Sequence, residues 1–252
     1  MIKTLILNKK INSYNKKIYV DGDKSLSIRW VLLASQASGI SKAYNLLMSD
    51  DVIAAMNSIK KLGIRVKRHK NYCEILGNGI NGFKYKKKLI INAKNSGTLG
   101  RLILGLLIKS PQKIKLIGDN SLSKRDFSRV TVPLEKFGAK FYYKKKNKLP
   151  ISILGSKFAK GIKYLENKGS AQCKSSIMLA ALNATGTTFI KAKKSRNHTE
   201  LLFKYLKIPT KIKKTKRYDF IRIKKPKKIR AFNYQIPGDI SSSAFFIVLT
   251  TL

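Results

Sequence analysis

The chain has 252 residues, 43% of them hydrophobic, and sets 54 Lys and Arg against 12 Asp and Glu for a net charge of +42. That apolar fraction supplies a core and excludes a disordered chain, and no apolar run approaches the roughly 18–20 residues that cross a bilayer. Two cysteines, Cys73 and Cys173, and two histidines, His69 and His198, are too few and too scattered for a zinc site, so no metal is expected.

The first helix is expected from Ser25 to about Ala37, ending before Gly39, a usual stop signal. A strand follows over Ser41–Leu47. Ser49-Asp50-Asp51 then reads as a cap with acidic first-turn residues. Val52, Met56, Ile59 and Leu62 recur at helical spacing and give the second helix one apolar face, which stops at Gly63. Strands are expected at Ile64–Arg68 and Tyr72–Leu76. The order then repeats. Leu89–Asn92 leads into a helix from about Gly97 to Ile108, a strand at Lys113–Ile117 and a helix over Phe127–Phe137. Gly138 ends that helix, and strands follow at Ala139–Tyr143 and Leu149–Leu154. A third pass runs Ile162–Leu165, helix Ser170–Asn183, strand Thr187–Lys191, helix His198–Leu206 and strands near Lys211–Lys213 and Tyr218–Ile223.

Lys24 and Gly97 stand 73 positions apart, and Gly97 and Ser170 again 73. A fixed period is architectural information. Each unit reads strand, helix, strand, helix, strand, strand, an α/β (α+β mixed-sheet) arrangement with helices on one side of each sheet. After IPGDISSS comes the almost wholly apolar Ala244–Leu252, which stops with no cap and no polar turn. The expectation is a fragment of a longer protein. Met1–Lys10 lacks the apolar stretch of a secretory signal, so a cytoplasmic location with reduced thiols is expected.

Three repeat-initial helices begin with Lys24-Ser25, Ser96-Gly97-Thr98 and Ser170-Ala171-Gln172. A helix start offers unpaired N–H groups and about half a positive charge. Gly or Ser there lets a phosphate or carboxylate approach the backbone. Arg29 and Arg101 each lie four residues after their repeat start, and Arg125 and Arg196 add forks suited to such anions. Together these residues predict a site for phosphorylated, negatively charged small molecules. The lysines are scattered along the whole chain, mostly beside strand-like segments and turns, and read as solvated charge. No nucleic-acid partner and no membrane partner are expected.

Six segments stand in order: GDKSLSIR (Gly22–Arg29), NSGTLGR (Asn95–Arg101), GDNSLSKR (Gly118–Arg125), SAQCKSSIMLAAL (Ser170–Leu182), SRNHTE (Ser195–Glu200) and PGDISSSAFF (Pro237–Phe246). Together they resemble the 5-enolpyruvylshikimate-3-phosphate synthase family of enolpyruvyl transferases. The resemblance implies a two-domain, inside-out α/β barrel fold, each domain built of three βαβαββ units, with substrates between the domains. Residues 21–236 would form one complete domain. Residues 1–20 and 237–252 would belong to a second domain that is largely missing. The implied reaction transfers the enolpyruvyl group of phosphoenolpyruvate to the 5-hydroxyl of shikimate-3-phosphate and releases phosphate. It uses no cofactor, and the full-length protein would be a monomer.

By motif, Lys24 would touch both substrates, and Ser25 and Arg29 would hold shikimate-3-phosphate, Arg29 through its carboxylate. Gly97 and Arg125 would hold phosphoenolpyruvate. Ser170, Ala171 and Gln172 would bind shikimate-3-phosphate, Gln172 reaching phosphoenolpyruvate as well, and Ser195 or Arg196 would assist with the shikimate phosphate. Asn95, Thr98 and Arg101 are further candidates. Ile28, Asp126 and Asn197 depart from the family pattern beside these positions. The catalytic proton-transfer residues are expected beyond this chain; Asp50 and Asp51 read as caps and Asp239 as a turn or cap residue. Two other readings stay open: UDP-N-acetylglucosamine enolpyruvyl transferase, although its loop cysteine is absent from Gly118–Arg125, and a basic nucleic-acid-binding protein.

Overall fold

The computed structural model describes residue 15 and residues 17–250. Residues 1–14 and 16 of the expected second-domain segment 1–20, and residues 251 and 252 of the apolar stretch Ala244–Leu252, lie outside the described residues.

In chain order the elements of the first unit are α1 (Lys24–Ser35), β1 (Ser38–Tyr44), α2 (Asp50–Lys61), β2 (Arg65–Arg68) and β3 (Tyr72–Asn78). The second has β4 (Ile90–Asn92), α3 (Gly97–Leu106), β5 (Ile114–Ile117), α4 (Asn120–Ser123), α5 (Ser128–Lys136), β6 (Lys140–Tyr143) and β7 (Ile151–Leu154). The third has β8 (Lys163–Glu166), α6 (Ala171–Ala181), β9 (Thr187–Lys193), α7 (His198–Tyr205), β10 (Thr210–Lys214) and β11 (Tyr218–Lys224). β12 (Asn233–Gln235) and α8 (Ile240–Leu249) follow.

The mixed α/β class expected from the repeats is the class observed. Three four-stranded sheets share one order: β12-β1-β3-β2, β4-β5-β7-β6 and β8-β9-β11-β10. In each, the first pair is parallel and the other pairs are antiparallel. The expected unit order holds in the second and third units and needs correcting in the first. There the leading parallel strand is β12, supplied from the far end of the chain, with Lys42 opposite Asn233. The three units are thereby closed into a ring by one short, non-local ladder. Where the chain enters and leaves this ring, Gly22 bridges Gly238 and the Asp23 amide donates to the Pro237 carbonyl at 2.8 Å.

Two further differences are local. β1 begins at Ser38, three residues earlier than expected, because Gly39 is taken up into the strand with φ of +105°. α4, within the GDNSLSKR segment, was not anticipated; Asp119 caps it, its carboxylate accepting from the Leu122 amide at 2.7 Å. The stops at Gly63 and Gly138 fall as expected, each at a positive φ that costs glycine little.

The repeat-initial helices α1, α3 and α6 form the centre. α1 is buried from Leu26 through Ser35 and α6 from Cys173 through Ala181. Both helices also carry polar side chains into that core, Arg29 on α1 and Lys174 on α6, and buried charges of this kind need partners. α1 meets β3 and α6 meets β9 directly, while α2 and α7 pack beside α1 and α5 beside α6. Strands β9 and β11 alternate buried and exposed residues, turning one face to the helices and the other to solvent. Trp30, Phe127, Phe137 and Phe203 are the largest wholly buried apolar side chains, each contributing about 1.5–3 kcal/mol of transfer free energy or more.

α3 crosses α6 at Gly105, where a Cβ would stand within clash distance of the Ser176 carbonyl oxygen. The same crossing is held by Ser176 Oγ donating to the Arg101 carbonyl at 3.0 Å. Gly105→Ala forces the two central helices apart and should lower stability by about 1–3 kcal/mol. Denaturant unfolding checks this, and a midpoint equal to that of the parent would show that the crossing tolerates the methyl.

Candidate functional site

The three repeat-initial helices start at one end of the domain. Gln172, at the second position of α6, receives Arg101 Nη1 at 2.6 Å and donates to Thr98 Oγ1 at 3.0 Å, joining the first turns of α6 and α3. Arg29 of α1 donates to Ser175 Oγ of α6 at 3.1 Å. The starts of α1, α3 and α6 are therefore neighbours, and their N–H groups and dipoles sum at that end. Side chains cap all three: Asp23 accepts from Leu26, Ser96 from Leu99 and Ser170 from Cys173.

Arg29 is 4% exposed and fixed on three sides. Its Nε donates to Thr199 Oγ1 at 2.9 Å, Nη1 to the Ser25 carbonyl at 2.9 Å and Nη2 to Ser175 Oγ. Burial pushes it down to about 10, opposed by Glu200 and Asp23, so it remains a cation at neutral pH. Three of its five N–H donors are thus committed to orienting the fork.

Lys24 is half-exposed and pairs with Asp51 at 3.0 Å. Asp51 stands in the first turn of α2, as the sequence indicates, and is also the counter-charge of Lys24. Gly97 and Arg125 come together, since a Cβ on Gly97 would stand 3.1 Å from Nη1 of both Arg101 and Arg125. The Arg101 guanidinium lies over the Phe127 ring at 5.2 Å, and its Nη2 donates to the Asp126 carbonyl at 3.3 Å. Burial, then the charges of Arg125 and Arg129, hold it below the usual arginine value. Such clustered cations, with no carboxylate bridging Arg101 among the described residues, are a site shaped for anions. Asn95 donates to Asp119 at 2.6 Å. The Ser195 hydroxyl is buried without a partner, and Arg196 is exposed beside it. Ala171 is the first residue of α6.

Four residues that the sequence reading left unassigned support this wall: Lys174, Ser175, Thr199 and Glu200. Thr199 Oγ1 donates to Ser175 Oγ at 2.7 Å, tying α7 to α6 behind Arg29. Lys174 Nζ meets Glu200 Oε1 at 2.5 Å, with the two side chains 0% and 6% exposed. The approach is off the hydrogen-bonding direction, so this is an ion contact without further partners. A lysine one turn before the apolar run Ile177–Leu182 was the available signal. His198 lies beside this network; burial, then Arg29, lowers its pKa, and it is neutral at pH 7.

Asp239 caps α8, accepting from the Ser241 amide at 2.8 Å, as a turn or cap residue should. Cys73 and Cys173 are buried free thiols, pushed up to about 11 and about 12 by burial. Among the described residues no helix is long and apolar enough to cross a membrane.

An α/β domain of three units with this arrangement is one domain of a two-domain fold found in solved structures. EPSP synthase from Acinetobacter baumannii superposes with a TM-score of 0.84 at 33% identity, covering 92% of this chain and 52% of that one. The chain belongs to the EPSP synthase family: the family model for EPSP synthase (3-phosphoshikimate 1-carboxyvinyltransferase) matches residues 8–252. Curated proteins named 3-phosphoshikimate 1-carboxyvinyltransferase are similar along its length. That of Caldicellulosiruptor bescii is 39% identical over 246 residues, 97% of this chain and 55% of the relative. That of Bacillus subtilis is 35% identical over 240 residues, 94% of this chain and 55% of the relative. The chain thus spans about half the length of the curated relatives it matches.

Proposed function

We propose that this chain forms one substrate-binding wall of an enzyme that transfers the enolpyruvyl group of phosphoenolpyruvate to the 5-hydroxyl of shikimate-3-phosphate, releasing phosphate. The observation that carries the reading is the convergence of three helix starts around Arg29, Arg101 and Arg125 in a member of this family. Both substrates are polyanions, and preorganised donors in a partly buried site are worth more than the same donors in water.

In this reading Lys24 serves both substrates. Ser25, Arg29, Ser170, Ala171 and Gln172 hold shikimate-3-phosphate, with Ser195 or Arg196 at its phosphate. Gly97 and Arg125 hold phosphoenolpyruvate, joined by Gln172. Asn95, Thr98 and Arg101 complete the wall; Arg101 acts by orienting Gln172, which it already bonds. The absence of a side chain at Gly97 leaves the Arg125 fork open toward the α3 amides. No local carboxylate is assigned proton transfer. Asp23 and Asp239 cap helices and Asp51 neutralises Lys24.

The bridge of Gly22 with Gly238 supports a boundary at which residues 1–20 and 237–252 pass to a second domain, leaving 21–236 as the three-unit domain. The same reading carries small-molecule partners, no cofactor, a cytoplasmic location and a monomeric whole protein.

Calorimetric titration of the chain with each substrate tests the assignment. Arg125→Ala removes a charged hydrogen-bond donor and should weaken phosphoenolpyruvate binding by about 1.5–3 kcal/mol, with a smaller loss for shikimate-3-phosphate. Equal losses for the two ligands would contradict the division of roles.

A further inference from the structure

We propose that the solvent face of the third sheet, β8-β9-β11-β10, is a stacking platform for single-stranded nucleic acid. The strand register assembles it. One cross-strand row places Lys163, Phe189, Arg222 and Lys211 side by side. The next row places Leu165, Lys191, Phe220 and Lys213. A third pairs Lys193 with Tyr218. Paired residues share a face, and these point away from the helices. Phe189 is 39% exposed, Phe220 41% and Leu165 51%. The buried Glu166 and Asp219 stand opposite or beside Ala192 on the inner face, so the rows named hold no acid.

Phe189 and Phe220 lie on a diagonal of neighbouring strands, about 7–8 Å apart at the backbone. That spacing suits two consecutive unstacked bases. Each ring also has a cation at hand: Arg222 is 5.4 Å from the Phe189 centroid, and Lys191 is 5.7 Å from that of Phe220 and 4.7 Å from that of Tyr218. These cations lie over the rings, so a base that stacks there displaces the cation from the ring face to its own phosphate. Exposed aromatics on a four-stranded sheet, flanked by cations, are a recurrent way to hold single strands. A duplex offers no free base faces to such rings.

The other two sheets also carry aromatic rings with a cation over them, Lys42 over Tyr72 in the first and Lys113 over Tyr142 in the second, but not two such rings on a diagonal in acid-free rows. In the first, the row through Lys42 includes Glu74, and the two pair at 3.2 Å. In the second, the row Ile90, Lys115, Ser152 and Tyr142 holds one cation. What sets the third sheet apart is two phenylalanines on a diagonal among five basic residues, Lys163, Lys191, Lys211, Lys213 and Arg222, in two rows that hold no acid. In the sequence these residues come from separate strands, so no contiguous nucleic-acid signature exists.

Fluorescence anisotropy of the 252-residue chain with labelled single strands of about twelve nucleotides, RNA and DNA, and with the matching duplex, tests the platform. Both single strands should bind more tightly than the duplex, with affinity falling as salt rises. The double variant Phe189→Ala, Phe220→Ala should weaken single-strand binding about fivefold or more per ring, leave duplex binding unchanged and melt like the parent, since both rings face solvent. Phe189→Tyr with Phe220→Tyr keeps the rings and should keep the preference. Replacing Lys144, Lys145 and Lys146 by Gln, on a different sheet's loop, should leave the preference intact. The proposal is overturned if the alanine pair binds single strands like the parent, if the duplex binds equally well, or if polyglutamate of equal charge competes as effectively as unlabelled strand. The last result would mark a surface for acidic protein segments.

Discussion

Lys174→Ala is expected to lower the stability of the chain by about 3–5 kcal/mol. Lys174 is wholly buried, and its ammonium is opposed by Glu200 alone among the described carboxylates within ion-pair distance. Truncating it leaves the buried Glu200 carboxyl without its partner in a low-dielectric interior, where the neighbouring Thr199 and Ser175 hydroxyls are already committed to Arg29. Arg29 offsets part of that charge, but its own fork is held by Thr199, Ser25 and Ser175 and cannot swing to replace the lysine.

The pair itself adds little net stability, because desolvating two charges costs about as much as their attraction returns. Lys174→Met combined with Glu200→Gln should therefore recover most of the loss. Denaturant unfolding of the parent, both single variants and the double variant measures the coupling. If Lys174→Met alone is as stable as the parent, the buried pair is not the constraint described. If the double variant is no better than Lys174→Met, the two residues do not act on each other.

That pair also marks where sequence reasoning stops. The repeat starts at Lys24, Gly97 and Ser170 were legible because caps, glycine stops and a 73-residue period are local signals. Helix positions followed from apolar spacing for the same reason. β12 was not legible. Asn233–Gln235 is three residues long, too short for alternation to show, and its ladder joins positions 191 apart. α4 was hidden by its length of four residues, too short for helical spacing of apolar positions to show. β1 was displaced because Gly39 was read as a terminator when the strand in fact absorbs it. At the site, Lys24, Gly97, Arg125 and Gln172 stood in motifs. Ser175, Thr199 and Glu200 were printed in the same motifs, yet nothing local says that α7 lies behind Arg29; only packing of α6 against α7 brings them together.

Arg29→Lys is expected to reduce affinity for shikimate-3-phosphate about 100-fold, with phosphoenolpyruvate affected much less. The substitution keeps the charge and removes the fork. The guanidinium spends three donors on Thr199, Ser25 and Ser175, which leaves two N–H groups in a fixed plane. A carboxylate can take both. Two hydrogen bonds to a charged group at about 1.5 kcal/mol each amount to about 3 kcal/mol, or roughly two decades in affinity. A lysine ammonium cannot hold this geometry, and it leaves the Thr199–Ser175 pair without its donor. Calorimetric titration with shikimate-3-phosphate and with its analogue reduced to a hydroxymethyl group at the carboxyl position separates the two roles Arg29 could have. If the fork holds the carboxylate, parent and variant differ by about 100-fold for the first ligand and by little for the second. If both ligands lose equally, Arg29 acts only by shaping the start of α1, and the thermal melt of the variant should then fall in step with binding.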